Sequence, residues 1–439
     1  MKQLPPNTAA LHSDPPKDLE PSVSKKIEEL EHYDILGMDT VVSILSWGRS
    51  GSLLLASYFD GHENVILLPE LCGQRLYDFF YRHQSLPWRE KLLAYPSFLP
   101  HETRFFEGEF AISPEEYQAA IQAIGEFYAQ WPADFLESRR AFFLFVHIAY
   151  TLALGRRPAT SRPVIVYQQH NWNDALAGDL VHDFPQSKFI HTIRDPISAC
   201  DGVFHSHLSM LADRHIALPR MVLDCLINKD RPHPGMESRT RTVRFEDLHR
   251  ASAQILHDLA DWVGFGYHPA LLESTFNGLP YVVRRDGVAW SGPRLEKTQR
   301  HSVYFSRKDR ALMYALLFEN FVEWEYPCRK TFKHAAFRYP VFLVLLLAPT
   351  KMEMVGARAV MKNRIVPALR RGNWLRVIKS LAAIGYCRVQ IIGLLAPAFF
   401  RRRLSPAALL EVRPNPGTGE PAETASAELH VGKPQPGTL

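Results

Sequence analysis

The sequence predicts a three-layer α/β sandwich, in which a central parallel β-sheet is covered by helices on both faces. Short apolar runs rich in Val, Ile and Leu recur along the chain, and each is followed by a segment with helical periodicity. Strands that alternate with helices are typical of parallel sheets. A chain of 439 residues can bury such a core and still carry appendages.

The apolar runs define the elements in order. Strands are predicted from Val41 onward and at 65–68, 164–170, 188–193 and 240–245. Helices are predicted at 52–60, 174–182, 197–213, 253–263 and 308–324. A helical insert is predicted at about 71–160, with helices at 115–131 and 140–154.

Composition divides the chain into four parts. Residues 1–36 are proline-rich at first and are predicted to form a flexible leader that ends in a short charged helix at 24–32. The main α/β domain, with its helical insert, is expected at 37–328, a basic and apolar helical segment at 329–403, and a disordered tail at 404–439. No repeat is visible.

Bulk composition favours an ordinary globular protein, with 46% hydrophobic and 22% charged residues. The five cysteines are scattered and lack C-x-x-C spacing, which argues against a disulfide framework or a zinc site, so no metal is predicted. The N-terminal segment has no apolar stretch of the kind found in signal peptides or leading anchors. We therefore expect a cytoplasmic location.

The first functional motif follows the strand at Val41. The run Ser46-Trp47-Gly48-Arg49-Ser50-Gly51-Ser52 leads from an apolar strand into a helical pattern. The start of the predicted helix offers backbone N–H groups, hydroxyls and one guanidinium. Such a set of donors favours the binding of an anion. The pattern is not a Walker A motif, because it lacks the Gly-x-x-x-x-Gly-Lys-Ser/Thr spacing and its lysine.

The second motif lies far downstream, and together with the first it indicates which anion the site binds. Phe184-Pro185-Gln186-Ser187-Lys188-Phe189-Ile190 opens a buried strand that ends in Arg194-Asp195-Pro196 before another helix. This ordered pair of motifs resembles the sulfotransferases that use 3′-phosphoadenosine 5′-phosphosulfate (PAPS), of the bacterial or carbohydrate type. The resemblance covers roughly residues 38–326, and it implies a P-loop-like phosphosulfate-binding turn.

The resemblance implies a set of donor-binding residues. Arg49 would stabilise the phosphosulfate in catalysis, helped by Ser50, Gly51 and Ser52, and no metal is needed. Arg194 would hold the 3′-phosphate. Further donor contacts are implied for Ser198, Arg285 and Gly287. The chain departs from the family pattern at Leu53 and Gly202, where relatives carry hydroxyl residues.

Two residues compete for the role of general base that deprotonates the acceptor hydroxyl. His170 ends the third predicted strand, where ligands of open α/β sheets bind, and it resembles the histidine of the Lys-Thr-His segment in cytosolic sulfotransferases. Glu70 directly follows the second strand, where several carbohydrate and tyrosine sulfotransferases use a glutamate. The sequence leaves both open.

The segment 329–403 holds 16 lysines and arginines against one acidic residue, Glu353. Basic residues beside Trp374, Phe399 and Phe400 are typical of an amphipathic helix on an anionic membrane surface. Helices packed back onto the domain explain the pattern equally well. No nucleic-acid-binding motif accompanies the charge, so nucleic acid is not an expected partner.

The sequence therefore predicts a PAPS-dependent sulfotransferase that sulfates a hydroxyl of a glycan or glycolipid. Two alternatives remain open. One is a P-loop kinase or NTPase, which the missing Walker lysine disfavours. The other is a non-catalytic, membrane-associated protein that binds adenosine 3′,5′-bisphosphate, which the departures at Leu53 and Gly202 favour.

Overall fold

The structure is a computed structural model. It describes residues 20–46, 49–68, 72–95, 112–170, 174–210, 217–229, 235–285, 288–294, 303–328, 330–400 and 409–410. Within these ranges the predicted α/β architecture is present, and every predicted strand lies within a residue or so of its expected place.

A five-stranded parallel sheet forms the centre of the molecule. Its strands are β1 Val41–Ser46, β2 Val65–Leu68, β3 Val164–His170, β4 Lys188–Ile193 and β5 Thr240–Arg244. Their spatial order is β2-β3-β1-β4-β5, and all four pairings are parallel. All six residues of β1 are buried, because this central strand is covered on both faces.

Helices cover both faces of the sheet. The bounds of those up to β4 are α1 Glu20–Leu30, α2 Ser52–Phe59, α3 Cys72–Arg82, α4 Trp88–Ala94, α5 Pro114–Phe127, α6 Ala133–Leu136, α7 Arg139–Ala153 and α8 Asp174–Asp183. Val41 and Leu45 face a core shared with α3, α5, α7 and α8. Val42 and Ile44 face a core shared with α2 and a later helix, Ser252–Val263. The alternation along β1 therefore builds the three layers.

The remaining elements follow β4. They are α9 Pro196–Met210, α10 Leu218–Asp224, α11 Phe245–Arg250, α12 Ser252–Val263, α13 Arg307–Leu316, α14 Phe318–Glu323, α15 Ala335–Leu347, α16 Lys351–Val360, α17 Val366–Arg370 and α18 Trp374–Phe400. Two small hairpins pair β6 Thr275–Phe276 with β7 Leu279–Pro280, and β8 Val282–Arg285 with β9 Val288–Ser291. The helix predicted at 308–324 is divided in two at Leu317.

The charged helix expected at the end of the leader is present as α1, and it is packed. Val23 and Leu30 are buried against α5 and α7. Lys26 is also buried, and its ammonium donates to the Leu152 carbonyl at 3.0 Å and pairs with Glu116 at 2.8 Å. This part of the leader is consequently held by the domain, because its apolar stripe completes the core.

The C-terminal helices pack on the domain. Phe342, Leu346 and Met352 join a third core with Ile391 and Leu395 of α18, and this core also contains residues of α9, α10 and α13. Within the predicted tail, Leu409 forms a parallel bridge with Thr242 of β5, and the Leu410 amide donates to the Thr242 carbonyl at 3.0 Å. These two residues are ordered by pairing with the outer strand of the sheet.

Candidate functional site

The site forms at the carboxyl end of β1, where the connections of the sheet change direction. β1 lies between β3 and β4, while the chain has passed through β2 on the far side of β3. Ser46 is in register with His170 of β3, and Leu45 with His191 of β4. Open α/β sheets bind ligands at such a switch point.

The turn after β1 has a strained backbone that brings it into helix α2. Arg49 has φ +55° and Gly51 has φ +87°, and Gly51 is the N-cap of α2. A Cβ on Gly51 would lie 2.5 Å from Cδ2 of Phe245, so both its backbone conformation and its contact require glycine. The turn thus places the exposed Arg49 just before the start of the helix, the end that attracts anions.

Both serine hydroxyls of the turn are bonded within the protein. Ser50 bonds to the Thr192 hydroxyl at 2.9 Å, and Thr192 in turn donates to the Leu45 carbonyl at 3.1 Å. The Ser52 hydroxyl accepts a hydrogen bond of 2.6 Å from Nε2 of Gln168 on β3. The hydroxyls therefore fix the turn to the two strands beside β1. The backbone amides at the N-terminus of a helix are donors of the kind that bind anions.

Arg194 follows β4 and reaches the same turn. Its Nη1 donates to the Arg49 carbonyl at 3.2 Å, and its guanidinium carbon lies 4.4 Å from the centre of the Phe245 ring. A Cβ on Gly202 of α9 would lie 3.6 Å from Cβ of Arg49 and 3.9 Å from Nη1 of Arg194. Two motifs separated by about 145 residues thus converge on one cationic site.

The start of α9 is held firmly beside this site. The Asp195 carboxylate accepts from the Ser198 amide at 2.9 Å, and the Asp195 amide donates to Glu246 at 3.2 Å. Tyr326 donates to the other Glu246 oxygen at 2.6 Å. Burial raises the pKa of Glu246 above its usual range. The Ser198 hydroxyl is buried and has no hydrogen-bond partner among the described residues.

Sequence comparison agrees with this geometry. The model of the sulfotransferase family matches residues 42–269, more than half of the chain. The chain belongs to the sulfotransferase family. No curated protein shows significant similarity to this sulfotransferase. Two solved structures resemble it: the sulfotransferase domain from the Synechococcus PCC 7002 olefin synthase and the sulfotransferase domain from the curacin biosynthetic pathway.

Each of these structures is 20% identical to this sulfotransferase, with a TM-score of 0.34. The olefin synthase domain is aligned over 80% of its length and 60% of this chain. The curacin domain is aligned over 77% of its length and 54% of this chain.

The structure brings together the central members of the predicted site in this sulfotransferase. Arg49, Ser50, Gly51 and Ser52 form the turn, and Arg194 binds to it. The backbone of His170 lies beside Ser46 at the end of β1, at the same edge of the sheet. Ser198 lies in the first turn of α9, after the segment that carries Arg194.

Two predicted residues lie outside the described part of the chain. Glu70 follows the last residue of β2 by two positions, and Gly287 falls between the strands of the β8–β9 hairpin. The backbone of Arg285 is described and pairs with Val288 in that hairpin. Their roles in the sulfotransferase stay predictions.

Sequence reasoning missed three residues that shape the site: Thr192, Gln168 and Phe245. Thr192 and Gln168 bond to the hydroxyls of the turn, and Phe245 packs against Gly51 and Arg194. The polar residues near the carboxyl ends of β3 and β4 were the available signal for the first two. Phe245 directly follows β5, and nothing in the sequence predicts its contacts.

Proposed function

We propose that this sulfotransferase transfers the sulfuryl group of PAPS to a hydroxyl of an acceptor, releasing adenosine 3′,5′-bisphosphate. The observation that supports this most is the meeting of Arg49 and Arg194 at the start of α2, where Arg194 donates to the Arg49 carbonyl. PAPS carries two separate anionic groups, and the site offers two guanidinium groups, one after β1 and one after β4. The donor supplies the activated sulfuryl group.

The residues of the turn have distinct tasks in this proposal. The Arg49 side chain neutralises the negative charge that develops on the leaving phosphate, together with the amides at the start of α2. Arg194 binds the 3′-phosphate through its planar set of donors. Phe245 restricts the orientation of the Arg194 guanidinium, since the ring and the guanidinium pack at 4.4 Å. These positions are set before the donor arrives, which limits reorganisation.

The general base remains a choice between His170 and Glu70. The backbone position of His170 at the end of β3 favours it, because this edge of the sheet also carries the turn. Replacement of the true base by a neutral amide side chain should lower kcat by about a hundredfold or more, with little change in donor affinity. The variants His170→Asn and Glu70→Gln, measured side by side, would decide between them.

The proposed acceptor is a glycan or glycolipid, and the proposed location is the cytoplasm or the inner face of its membrane. The frequency of such acceptors in the family and the basic C-terminal helices support this acceptor class. Release of adenosine 3′,5′-bisphosphate in the presence of lipid-linked glycans, soluble glycans or a simple alcohol would rank the three acceptor classes.

Calorimetric titration tests the donor directly. We expect adenosine 3′,5′-bisphosphate to bind in the micromolar range, and ATP and adenosine 5′-monophosphate to bind far more weakly, because both lack the 3′-phosphate. Arg194→Ala should abolish the preference for the 3′-phosphate. Arg241→Ala is the matched control, because Arg241 also packs over an aromatic ring, that of Trp262, but on the outer strand β5.

The rival functions predict different results. A kinase or NTPase would prefer ATP with magnesium. A non-catalytic binding protein would bind adenosine 3′,5′-bisphosphate, yet it would release none from PAPS with any acceptor class. The absence of 3′-phosphate-dependent binding in the wild-type protein would overturn the proposed donor.

A further inference from the structure

One exposed side of α18 carries large apolar side chains from the start of the helix to its end. Trp374, Leu375 and Ile378 are 65%, 63% and 61% exposed, and Tyr386, Val389 and Phe400 continue the exposed row. At 3.6 residues per turn these side chains fall within an arc of about 120°. A helix packed on a globular domain normally turns a polar face to water, so this face is reversed.

The opposite side of α18 is anchored in the protein. Ile391, Leu395 and Phe399 are buried in the third core. Arg388 pairs with Glu353 of α16 at 2.9 Å, and it also donates to the Ala348 carbonyl after α15 at 3.1 Å. Both contacts involve partly buried groups. The helix is therefore fixed along the surface of the domain.

These contacts distinguish a helix that crosses the bilayer from one that lies in the plane of the membrane interface. Among the described residues, α18 alone is long and apolar enough to cross a bilayer, with a mean hydropathy of 1.5 over its most apolar window. Crossing would separate Arg388 from Glu353 and remove Ile391 and Leu395 from the core. A helix that lies in the plane of the interface keeps all of these contacts.

The charges around α18 indicate what covers its apolar face. Exposed Arg370 and Arg371 precede the helix, and exposed Arg376 and Lys379 lie in its first two turns. Between residues 330 and 400 Glu353 is the one carboxylate residue, and it is engaged by Arg388. A second copy of this surface would bring like charges together, whereas anionic headgroups complement them.

We propose that α18 is a membrane-docking surface that inserts its apolar face in the plane of an anionic lipid interface. The acyl boundary receives Trp374, Leu375, Ile378 and the apolar residues that follow them. Arg370, Arg371, Arg376 and Lys379 bind the headgroups. The ring of Phe400 lies 5.8 Å from that of Tyr339, so α15 extends the same surface. This inference is independent of the proposed donor and acceptor.

Vesicle flotation of the full-length protein tests the proposal. Two vesicle types are used: phosphatidylcholine alone, and phosphatidylcholine mixed with an equal amount of phosphatidylglycerol. We expect at least about tenfold stronger binding to the anionic vesicles, and weaker binding as salt is raised. Equal binding to both vesicle types, or no binding to either, would overturn the proposal.

Paired variants separate the apolar and the charged contributions. Leu375→Ser with Ile378→Ser should weaken binding by about tenfold or more. Its control is Leu36→Ser with Leu272→Ser, which removes residues that are 62% and 46% exposed elsewhere on the domain. Arg376→Gln with Lys379→Gln should remove most of the preference for anionic lipid. Its control is Lys25→Gln with Arg82→Gln, which are also exposed.

The same preparations identify other occupants of the face. All variants should keep the wild-type melting temperature, because the replaced side chains are exposed. A wild-type dimer in vesicle-free buffer that becomes monomeric in Leu375→Ser with Ile378→Ser would show that a second copy covers the face. Vesicle binding that appears only when the chain is ended after residue 410 would show that the chain's own C-terminus covers it. Either result would contradict lipid docking by the intact protein.

Discussion

At the residue scale, Gly51 combines an unusual backbone conformation with close packing against the ring of Phe245. Its φ of +87° excludes most side chains, and Cδ2 of Phe245 occupies the place of a Cβ. We expect Gly51→Ala to destabilise the protein by about 1–3 kcal/mol. It should also weaken the binding of adenosine 3′,5′-bisphosphate, because the displaced Phe245 supports Arg194.

Gly155→Ala is the control for this prediction. Gly155 has φ +65°, but no atom lies within 4 Å of the position of its Cβ. The control should lose about 1 kcal/mol from backbone strain alone and should keep its affinity for the nucleotide. Denaturant unfolding and calorimetry measure the two effects. Equal affinity in Gly51→Ala and Gly155→Ala would contradict the role given to Phe245.

Gly202 is a departure from the family pattern that lies beside both arginines. A Cβ there makes only ordinary contacts, at 3.6 Å or more, so Gly202→Ser should fold normally. Serine also has a higher helix propensity than glycine inside α9. A hydroxyl beside Arg49 and Arg194 should tighten nucleotide binding by about tenfold if it reaches a phosphate oxygen.

The matched control is Gly178→Ser, because Gly178 is also helical and has no atom within 4 Å of its Cβ position. It should leave binding unchanged. Calorimetry with adenosine 3′,5′-bisphosphate measures both variants. Weaker binding in Gly202→Ser alone would indicate that the donor itself occupies the space left by the glycine.

At the element scale, α7 carries a histidine inside the core. His147 is fully buried, and its Nδ1 donates to the Phe143 carbonyl at 2.7 Å. Burial lowers the pKa of His147 to about 4, while the backbone hydrogen bond opposes that shift. The unfolded chain keeps the ordinary pKa of about 6.5, so between these values the unfolded state binds more protons than the folded state.

Stability should therefore fall as the pH decreases through this window. The expected loss from His147 is about 2 kcal/mol at pH 5 relative to neutral pH. His147→Leu should lack this part of the pH dependence, whatever its stability at pH 7. Denaturant unfolding at several pH values between 7 and 5 measures the slope. The same slope in the wild-type protein and in His147→Leu would show that protonation of His147 does not destabilise the folded protein.

At the scale of the whole molecule, the C-terminal helices and the domain share one core. Phe342, Leu346, Met352, Ile391 and Leu395 are all buried in it. Each such side chain contributes about 1.5–3 kcal/mol when buried, against a total stability of about 5–15 kcal/mol for a typical domain. A chain ended at residue 334 should therefore aggregate or unfold at a much lower temperature than the full chain.

Calorimetric melting of the full-length protein and of the chain ended at residue 334 measures this loss of stability. A chain ended after residue 410 is the control, since it keeps α18 and the pairing of Leu409 and Leu410 with Thr242. It should melt like the full-length protein. An unchanged melting temperature in the chain ended at 334 would show that the third core contributes little. The expected result also explains why substitutions in α18 test membrane binding better than removal of the helices.

The strands, the helices that follow them and the two arginine-containing motifs could be recognised from the sequence alone. Periods of apolar residues are a local property, and the short patterns around Arg49 and Arg194 are recognisable without their neighbours in space. The family followed from those two patterns. The outcome for β1 is typical: its apolar run predicted a buried strand, and all six of its residues are buried.

Which residues lie in contact became known from the folded structure. The contact of Arg194 with the Arg49 carbonyl, the ring of Phe245 against Gly51 and the bond from Gln168 to Ser52 join segments far apart in the chain. For the same reason, the sequence alone could not show that α18 turns apolar side chains toward the solvent. Composition shows that a helix is apolar and basic, but burial of Ile391 and exposure of Ile378 depend on which side packs against the domain. Which side of α18 is buried therefore depends on packing, which is a non-local property.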